Sequence, residues 1–221
     1  VRAVEYESFI FDMDGTLIDS IPVFLAAYER VINEQLGIEP PEDAIRTQFG
    51  KSSRDIIMGV LDEIGMDPKS IDVDAILAAI RKEFADRVKE VVVLPGAFEL
   101  LQRLYDDYSI ALATSSRRYY AERILENFDI GRYFDAVVTA DDVKSAKPAP
   151  DVYLKAAEML GAAPEKCVVF EDAAYGVMAA KAAGMKVVAV VTGSSTRGEL
   201  LAEKPLAVLD SLSDFNLGIL K

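Results

Sequence analysis

The chain has 221 residues, 51% of them apolar, and sets 24 basic against 37 acidic side chains for a formal net charge of −13. That length suits one large domain, or an ordinary domain with a smaller companion, and the acidic balance excludes broad nucleic-acid binding, which needs a basic face. The chain contains no histidine, which removes Ser-His-Asp and Cys-His catalysis, histidine bases and histidine metal sites together.

Any chemistry therefore falls to carboxylates, lysines, hydroxyls and backbone amides. No apolar stretch approaches the length of a membrane span, and no signal-peptide pattern opens the sequence, which begins at Val1. The single cysteine, Cys167, sits in an apolar run and reads as a buried, inert thiol. The expectation is a cytoplasmic protein with no membrane partner.

Along the chain, Phe9-Ile10-Phe11 stops abruptly at Asp12, skips one residue to Asp14 and turns at Gly15. A short apolar run ended by a turn glycine reads as a buried strand. Acids at i and i+2 there project toward one space, and they repel each other unless a cation or proton sits between them. A metal explains the pair; a simple turn built from Asp and Gly explains the same stretch equally well.

After Ser20 the period becomes helical. Ile21, Phe24, Leu25, Tyr28, Val31, Ile32 and Leu36 recur at helical spacing, with Gly37 closing the run. Ser52 and Asp55 resemble a capping box before Ile56, Ile57, Val60, Leu61 and Ile64. A further helix carries Val73, Ile76, Leu77, Ile80, Phe84 and Val88. No convincing strand intervenes before Val91-Val92-Val93.

From Leu94 onward, helices and apolar runs alternate. Helices over Phe98 to Asp107, around Tyr119 to Phe128, from a cap at Asp151 to Gly161, and over Tyr175 to Ala183 alternate with runs at 109–113, 136–139, 167–170, 186–191 and 207–209. This pattern predicts an α/β fold with a mostly parallel sheet covered on both faces. The first strand belongs to that sheet. Residues 1–19 and 93–221 then form the core, with 20–92 as an inserted helical domain.

Three strand ends carry chemistry-bearing residues, where ligands of open α/β sheets bind. Thr114-Ser115-Ser116 offers hydroxyls and amides suited to phosphate oxygens, or to helix capping. Lys147, fixed by Pro148, offers a point charge, though a solvated loop lysine fits as well. Glu171-Asp172 adds a second acidic pair, fit for a hard cation such as Mg²⁺ or, through Asp172, for a helix start.

Taken together these residues resemble the haloacid dehalogenase-like hydrolase superfamily over nearly the whole chain. The resemblance rests on Asp12-Met13-Asp14-Gly15-Thr16, on Thr114, on Lys147 within Lys147-Pro148-Ala149-Pro150-Asp151, and on Glu171-Asp172 with Gly176, Ala179-Ala180 and Ala183-Gly184-Met185. The inserted helices are similar to the small cap of the phosphoglycolate phosphatase and β-phosphoglucomutase branch. One departure is Ala173, where many relatives carry serine.

The resemblance implies a Rossmann-like core and a Mg²⁺-dependent phosphatase acting on a small phosphorylated metabolite. It implies Asp12 as nucleophile, Asp14 as proton shuttle, and Thr114 and Lys147 as stabilisers of phosphoryl charge, with first-loop amides at Gly15 and Thr16. Metal ligands would be Asp12, the Asp14 carbonyl and Asp172, with Glu171 a ligand or its support. Ser115 and Ser116 would join the phosphate site.

Within the superfamily, Asp14 speaks against dehalogenase and phosphonatase chemistry. β-Phosphoglucomutases commonly carry Val where Thr16 stands and a histidine near Phe24, which favours phosphatase over mutase here. A non-catalytic phospholigand-binding protein is the third reading. In the helical domain, Gly50-Lys51-Ser52-Ser53-Arg54 reads as a substrate-facing loop with Lys51 and Arg54 as anion contacts, or as a solvated helix start. Nothing in the sequence fixes an oligomeric state.

Overall fold

The computed structural model describes residues 6–46, 48 and 51–221. The chain divides into two compact units, Ser20–Val91 and the combination of Val1–Asp19 with Val92–Lys221.

Among its described residues the Ser20–Val91 unit is helical throughout, with α1 (Ile21–Leu36), α2 (Glu42–Arg46), α3 (Ser53–Glu63) and α4 (Val73–Asp86). Its core gathers Leu25, Tyr28, Val31 and Ile32 of α1 with Ile57, Val60, Ile76, Leu77 and Ile80. These are the residues whose helical spacing marks the apolar faces. Phe24 and Phe84 stack with ring centroids 3.9 Å apart. Gly37 takes the left-handed conformation that ends α1, where glycine avoids the Cβ clash. The Ser52 hydroxyl caps α3 by accepting from the Asp55 amide at 3.2 Å.

The other unit holds β1 (Ser8–Phe11), β2 (Ile18–Asp19), β3 (Val92–Val93), β4 (Ser109–Ala113), β5 (Ala136–Val138), β6 (Cys167–Glu171), β7 (Lys186–Val190) and β8 (Ala207–Leu209). Its helices are α5 (Ala97–Tyr105), α6 (Arg118–Asn127), α7 (Asp151–Leu160), α8 (Ala174–Ala182) and α9 (Arg197–Ala202). Six strands form one parallel sheet in the order β5-β4-β1-β6-β7-β8. The expected α/β architecture is therefore present. The short β2 and β3 pair antiparallel as a separate ribbon; β3 falls within the expected run Val91-Val92-Val93, whereas β2, at two residues, is too brief for a pattern to mark it.

β1 lies in the middle of the sheet and is buried along its whole length, as its unbroken apolar run requires. Phe11 stacks on Phe170 of β6 at 4.6 Å between centroids. The cluster on Ile10 includes Ala113, Val138, Val169, Tyr153, Val177 and Ala180, which place α7 and α8 against the sheet.

The cap expected at Asp151 is corrected, and the capping alternative for Ser115 and Ser116 is not met. The N-cap of α7 is Pro150, with Asp151 inside its first turn, and α6 starts after Arg117 with no side-chain cap bond. Asp151 enriches the start of a helix dipole without capping it. The Ser116 hydroxyl is instead bonded to Asp14. No described helix is long and apolar enough to cross a membrane.

Candidate active site

The register of the sheet builds the site. Phe11 of β1 stands beside Phe170 of β6 on one side and Leu112 of β4 on the other. The next residue, Asp12, donates its amide to the Phe170 carbonyl at 3.0 Å, so it comes to rest beside Glu171 and Asp172. Two residues past Leu112, Thr114 donates its amide to Val138 and accepts from the Ser116 amide at 3.0 Å. The strands β1, β4 and β6 thus deliver their polar residues to one edge.

Lys147 enters from the loop after β5, where the Lys147–Pro148 peptide is cis. Its ammonium donates to Asp12 Oδ1 at 2.6 Å and to Glu171 Oε1 at 2.7 Å, and all three side chains are buried. Burial alone would pull the lysine down; the carboxylates of Asp12 and Glu171 more than offset this and hold it above its usual range.

Asp12 feels the opposite balance. Burial pushes its carboxyl well above the usual range, Lys147 partly offsets that, and Glu171, Asp172 and Asp14 add repulsion. Asp172 is raised to about 7 by burial and by Glu171, against the Ser194 amide, Lys147 and the Thr16 hydroxyl. One cation among four acids leaves the site short of positive charge.

Each acid has distinct neighbours. Glu171 accepts from Lys147 and the Tyr153 hydroxyl on Oε1, and from the amides of Asp172 and Ala173 on Oε2, all between 2.7 and 2.9 Å. Four donors fill the acceptor capacity of a carboxylate. Asp172 accepts from Thr16 Oγ1 at 3.2 Å and from the Ser194 amide at 2.9 Å. Asp14, half-buried, accepts from Ser116 Oγ at 2.6 Å. Beside it lies the buried ring of Tyr120, whose phenol is pushed above its usual range by burial and by the Asp14 charge.

The structure brings Asp12, Asp14, Gly15, Thr16, Thr114, Ser115, Ser116, Lys147, Glu171 and Asp172 into the sheet unit. Gly15 has φ +84° and donates its amide to Ile18, which closes the turn after β1. A Cβ at Gly15 would meet the Asp172 carboxylate at 2.5 Å. Lys51 and Arg54 belong to the helical unit, where Lys51 donates to Gln48 at 2.7 Å and Arg54 pairs with Asp74. Gly50 lies outside the described residues.

Sequence reasoning missed the loop after β7. Thr192 Oγ1 donates to the Gly15 carbonyl at 2.6 Å, Ser194 holds Asp172, and Ser195 Oγ accepts from the Ala174 amide at 3.0 Å. A Cβ at Gly193 would overlap Asp172, and one at Gly176 would overlap Glu171. The signal was a Val191-Thr192-Gly193-Ser194-Ser195 run at the end of a strand, the same kind as Thr114-Ser115-Ser116. Tyr153 was missed too, because a buried tyrosine on an apolar helix face reads as core.

One carboxylate oxygen from each of Asp12, Glu171 and Asp172 falls within 4.8 Å of the others. Hard oxygen donors with an unbalanced negative charge fit Mg²⁺ or a similar cation. With Glu171 already saturated by hydrogen bonds, Asp12 and Asp172 are the carboxylates best placed to hold it.

Residues 9–190 match the family model described as haloacid dehalogenase-like hydrolase. A phosphorylated carbohydrates phosphatase of Thermotoga maritima is 36% identical, the match covering 94% of this chain and 99% of that protein. Phosphoglycolate phosphatase 1 of Pseudomonas aeruginosa is 30% identical, covering 93% of this chain and 76% of the relative. The crystal structure of a putative β-phosphoglucomutase from Thermotoga maritima superposes with a TM-score of 0.74 at 33% identity, over 97% and 96% of the two chains. The chain belongs to the haloacid dehalogenase-like hydrolase family, in the branch that includes phosphoglycolate phosphatases and β-phosphoglucomutase-like proteins.

Proposed function

We propose that the protein is a Mg²⁺-dependent phosphatase that hydrolyses a small phosphomonoester, a phosphorylated carbohydrate or phosphoglycolate, through an aspartyl-phosphate on Asp12. The observation that carries this reading is the buried Asp12–Lys147–Glu171 arrangement, in which one carboxylate at a strand end is held by a lysine. The names of the phosphatase relatives support the substrate class.

In this reading Lys147 fixes Asp12 Oδ1, and Asp12 Oδ2 attacks phosphorus. The O–P bond to Asp12 forms as the bond to the leaving oxygen breaks. Asp14, held through Oδ2 by Ser116, gives its proton to that oxygen. A water then attacks the same phosphorus and gives its proton to Asp14, and the bond to Asp12 breaks to release phosphate. Thr114 and Lys147 face the charge on the transferring group. Bound Mg²⁺, held by Asp12, Asp172 and the Asp14 carbonyl, would supply compensating charge for the anionic substrate. Glu171 supports Lys147.

The reading assigns substrate discrimination to the helical unit as a cap, with Lys51 and Arg54 as candidate contacts to the non-phosphate end. Both now hold partners within that unit, which they would exchange for substrate.

The test is phosphate release from an aryl phosphate with and without Mg²⁺, for the wild type and Asp12→Asn. Release that needs Mg²⁺ and vanishes in Asp12→Asn is expected; release undiminished by the substitution sinks the proposal. Interconversion of hexose 1- and 6-phosphates with a bisphosphate primer would instead establish mutase chemistry. A panel of phosphorylated carbohydrates and phosphoglycolate then ranks substrates by kcat/KM, and alanine at Lys51 or Arg54 should change that ranking.

A further inference from the structure

We propose that Tyr153 is a positioning residue for Lys147, acting through Glu171 and through the face of its own ring. The proposal rests on the phosphatase reading for the job that Lys147 performs.

Tyr153 is completely buried in the first turn of α7. Its hydroxyl donates to Glu171 Oε1 at 2.7 Å, the same oxygen that accepts from Lys147 at 2.7 Å. The ammonium also lies 4.9 Å from the centroid of the Tyr153 ring. One side chain therefore touches both the cation and the anion of the pair. Burial and the neighbouring Glu171 push its phenol well above the ordinary range, so the hydroxyl stays a donor.

The arrangement has a directional consequence. An ammonium carries three N–H groups. Asp12 and Glu171 take two. Where the third points depends on where Glu171 and the ring hold the nitrogen. Glu171 is set by two backbone amides on one oxygen and by Tyr153 on the other. The aromatic face, attractive to a cation, closes one side of the nitrogen. What remains is the N–H for the phosphoryl group.

Tyr153 reaches the reacting groups through Glu171, by its hydroxyl, and through Lys147, by its ring. It lies six residues after Lys147, across Pro148 and Pro150, and its amide donates to the Pro150 carbonyl at 3.1 Å. The same stiff segment thus carries both the lysine and its support.

Two variants of the full chain separate the two contacts. Tyr153→Phe keeps the ring and loses the hydroxyl; Tyr153→Leu loses both. Each is measured with Mg²⁺ present by calorimetric titration of inorganic phosphate, by kcat/KM on an aryl phosphate, and by thermal unfolding.

Loss of a hydrogen bond to a charged group predicts about a tenfold drop in phosphate affinity and kcat/KM for Tyr153→Phe. Misplacement of the lysine predicts about a hundredfold drop in kcat/KM for Tyr153→Leu, with Phe as the partial rescue. A merely structural tyrosine would lower the unfolding temperature and leave both readouts of the folded fraction unchanged. That result in Tyr153→Phe overturns the proposal, whether or not the leucine variant folds. A wild type that binds phosphate without turnover would remove the phosphatase reading alone, and the phosphate titration would still decide the role of Tyr153. A wild type that does neither overturns both.

Discussion

Lys147 stands 2.6 Å from Asp12 and 2.7 Å from Glu171, so one buried cation ties the residue that follows β1 to the last residue of β6. The pairing of β1 with β6 sets the backbone of both acids, and the lysine holds their carboxylates. What the lysine changes is the cost of keeping them ionised together. Removing one partner of a buried pair leaves an uncompensated charge, which costs about 3–5 kcal/mol.

Lys147→Met, which keeps the stem and deletes the charge, should therefore destabilise the metal-free protein by an amount of that order. Added Mg²⁺ should recover part of the loss, because a second cation then faces the same acids. Activity should stay low even with Mg²⁺, by about 10²–10³ in kcat, the usual effect of losing one transition-state charge stabiliser. Urea unfolding with and without Mg²⁺, beside steady-state kinetics, checks both halves. A stable, active Lys147→Met protein would show that the ion pair is incidental.

Gly176→Ala offers a contest between two effects of opposite sign. Glycine inside a helix is less favourable than alanine by up to about 1 kcal/mol, so propensity alone predicts a gain. Gly176 lies in α8, yet its missing Cβ is where the Glu171 carboxylate packs. Overpacking a tight site costs about 1–3 kcal/mol, and Glu171 has four hydrogen bonds to lose if it shifts. The clash should win: lower thermal stability together with lower kcat. A more stable variant of normal activity would show that Glu171 moves aside freely.

Much of this site is legible in the sequence because strand ends are. Asp12, Asp14, Glu171 and Asp172 interrupt apolar runs at points where burial alone gives no reason for an acid. The sheet follows from alternation, and β1 from an apolar run too short and too aromatic for a helix. Side-chain partners are less visible. Ser116 looks like a helix cap by position, yet its hydroxyl goes to Asp14, over one hundred residues away. Gly193 looks like an ordinary small residue, Gly176 stands out only through the resemblance, and the packed carboxylates show why a Cβ is excluded at both. Tyr153 follows the helical apolar pattern of α7, so nothing local separates its hydroxyl from the core around it.

The Ser116–Asp14 hydrogen bond leads to a prediction about leaving groups. If Asp14 protonates the departing oxygen, its orientation matters most when that oxygen is a poor leaving group. Ser116→Ala should cut kcat by about tenfold or more on an alkyl phosphate. On an aryl phosphate, which needs little proton assistance, the loss should be markedly smaller. Parallel kinetics on the two substrate types provides the comparison, and equal losses on both would place Ser116 in phosphate binding instead.

The raised carboxyls carry a signed prediction for stability in the absence of metal. Asp172 titrates at about 7 in the metal-free fold, against about 3.9 for an unfolded aspartate. Between those values the folded state holds more protons than the unfolded one, so stability falls as pH rises. Asp12 is shifted in the same direction. Lys147 is raised and charged in both states over this range, so it adds no slope. Asp141 and Asp142, which are lowered, contribute a gain with pH only below their unfolded values near 4. EDTA-treated protein should therefore lose stability from pH 5 to pH 8, on the order of 1–4 kcal/mol. On the proposed reading Mg²⁺ is held by the deprotonated acids, so its stabilising effect should grow over the same interval, with proton release on binding. Asp172→Asn should flatten the metal-free profile, which separates this site from the general self-repulsion of a chain of net charge −13. Urea unfolding at each pH, with and without Mg²⁺, measures all of these. Metal-free stability that rises with pH through this window would mean that the acids are not held together as the structure places them.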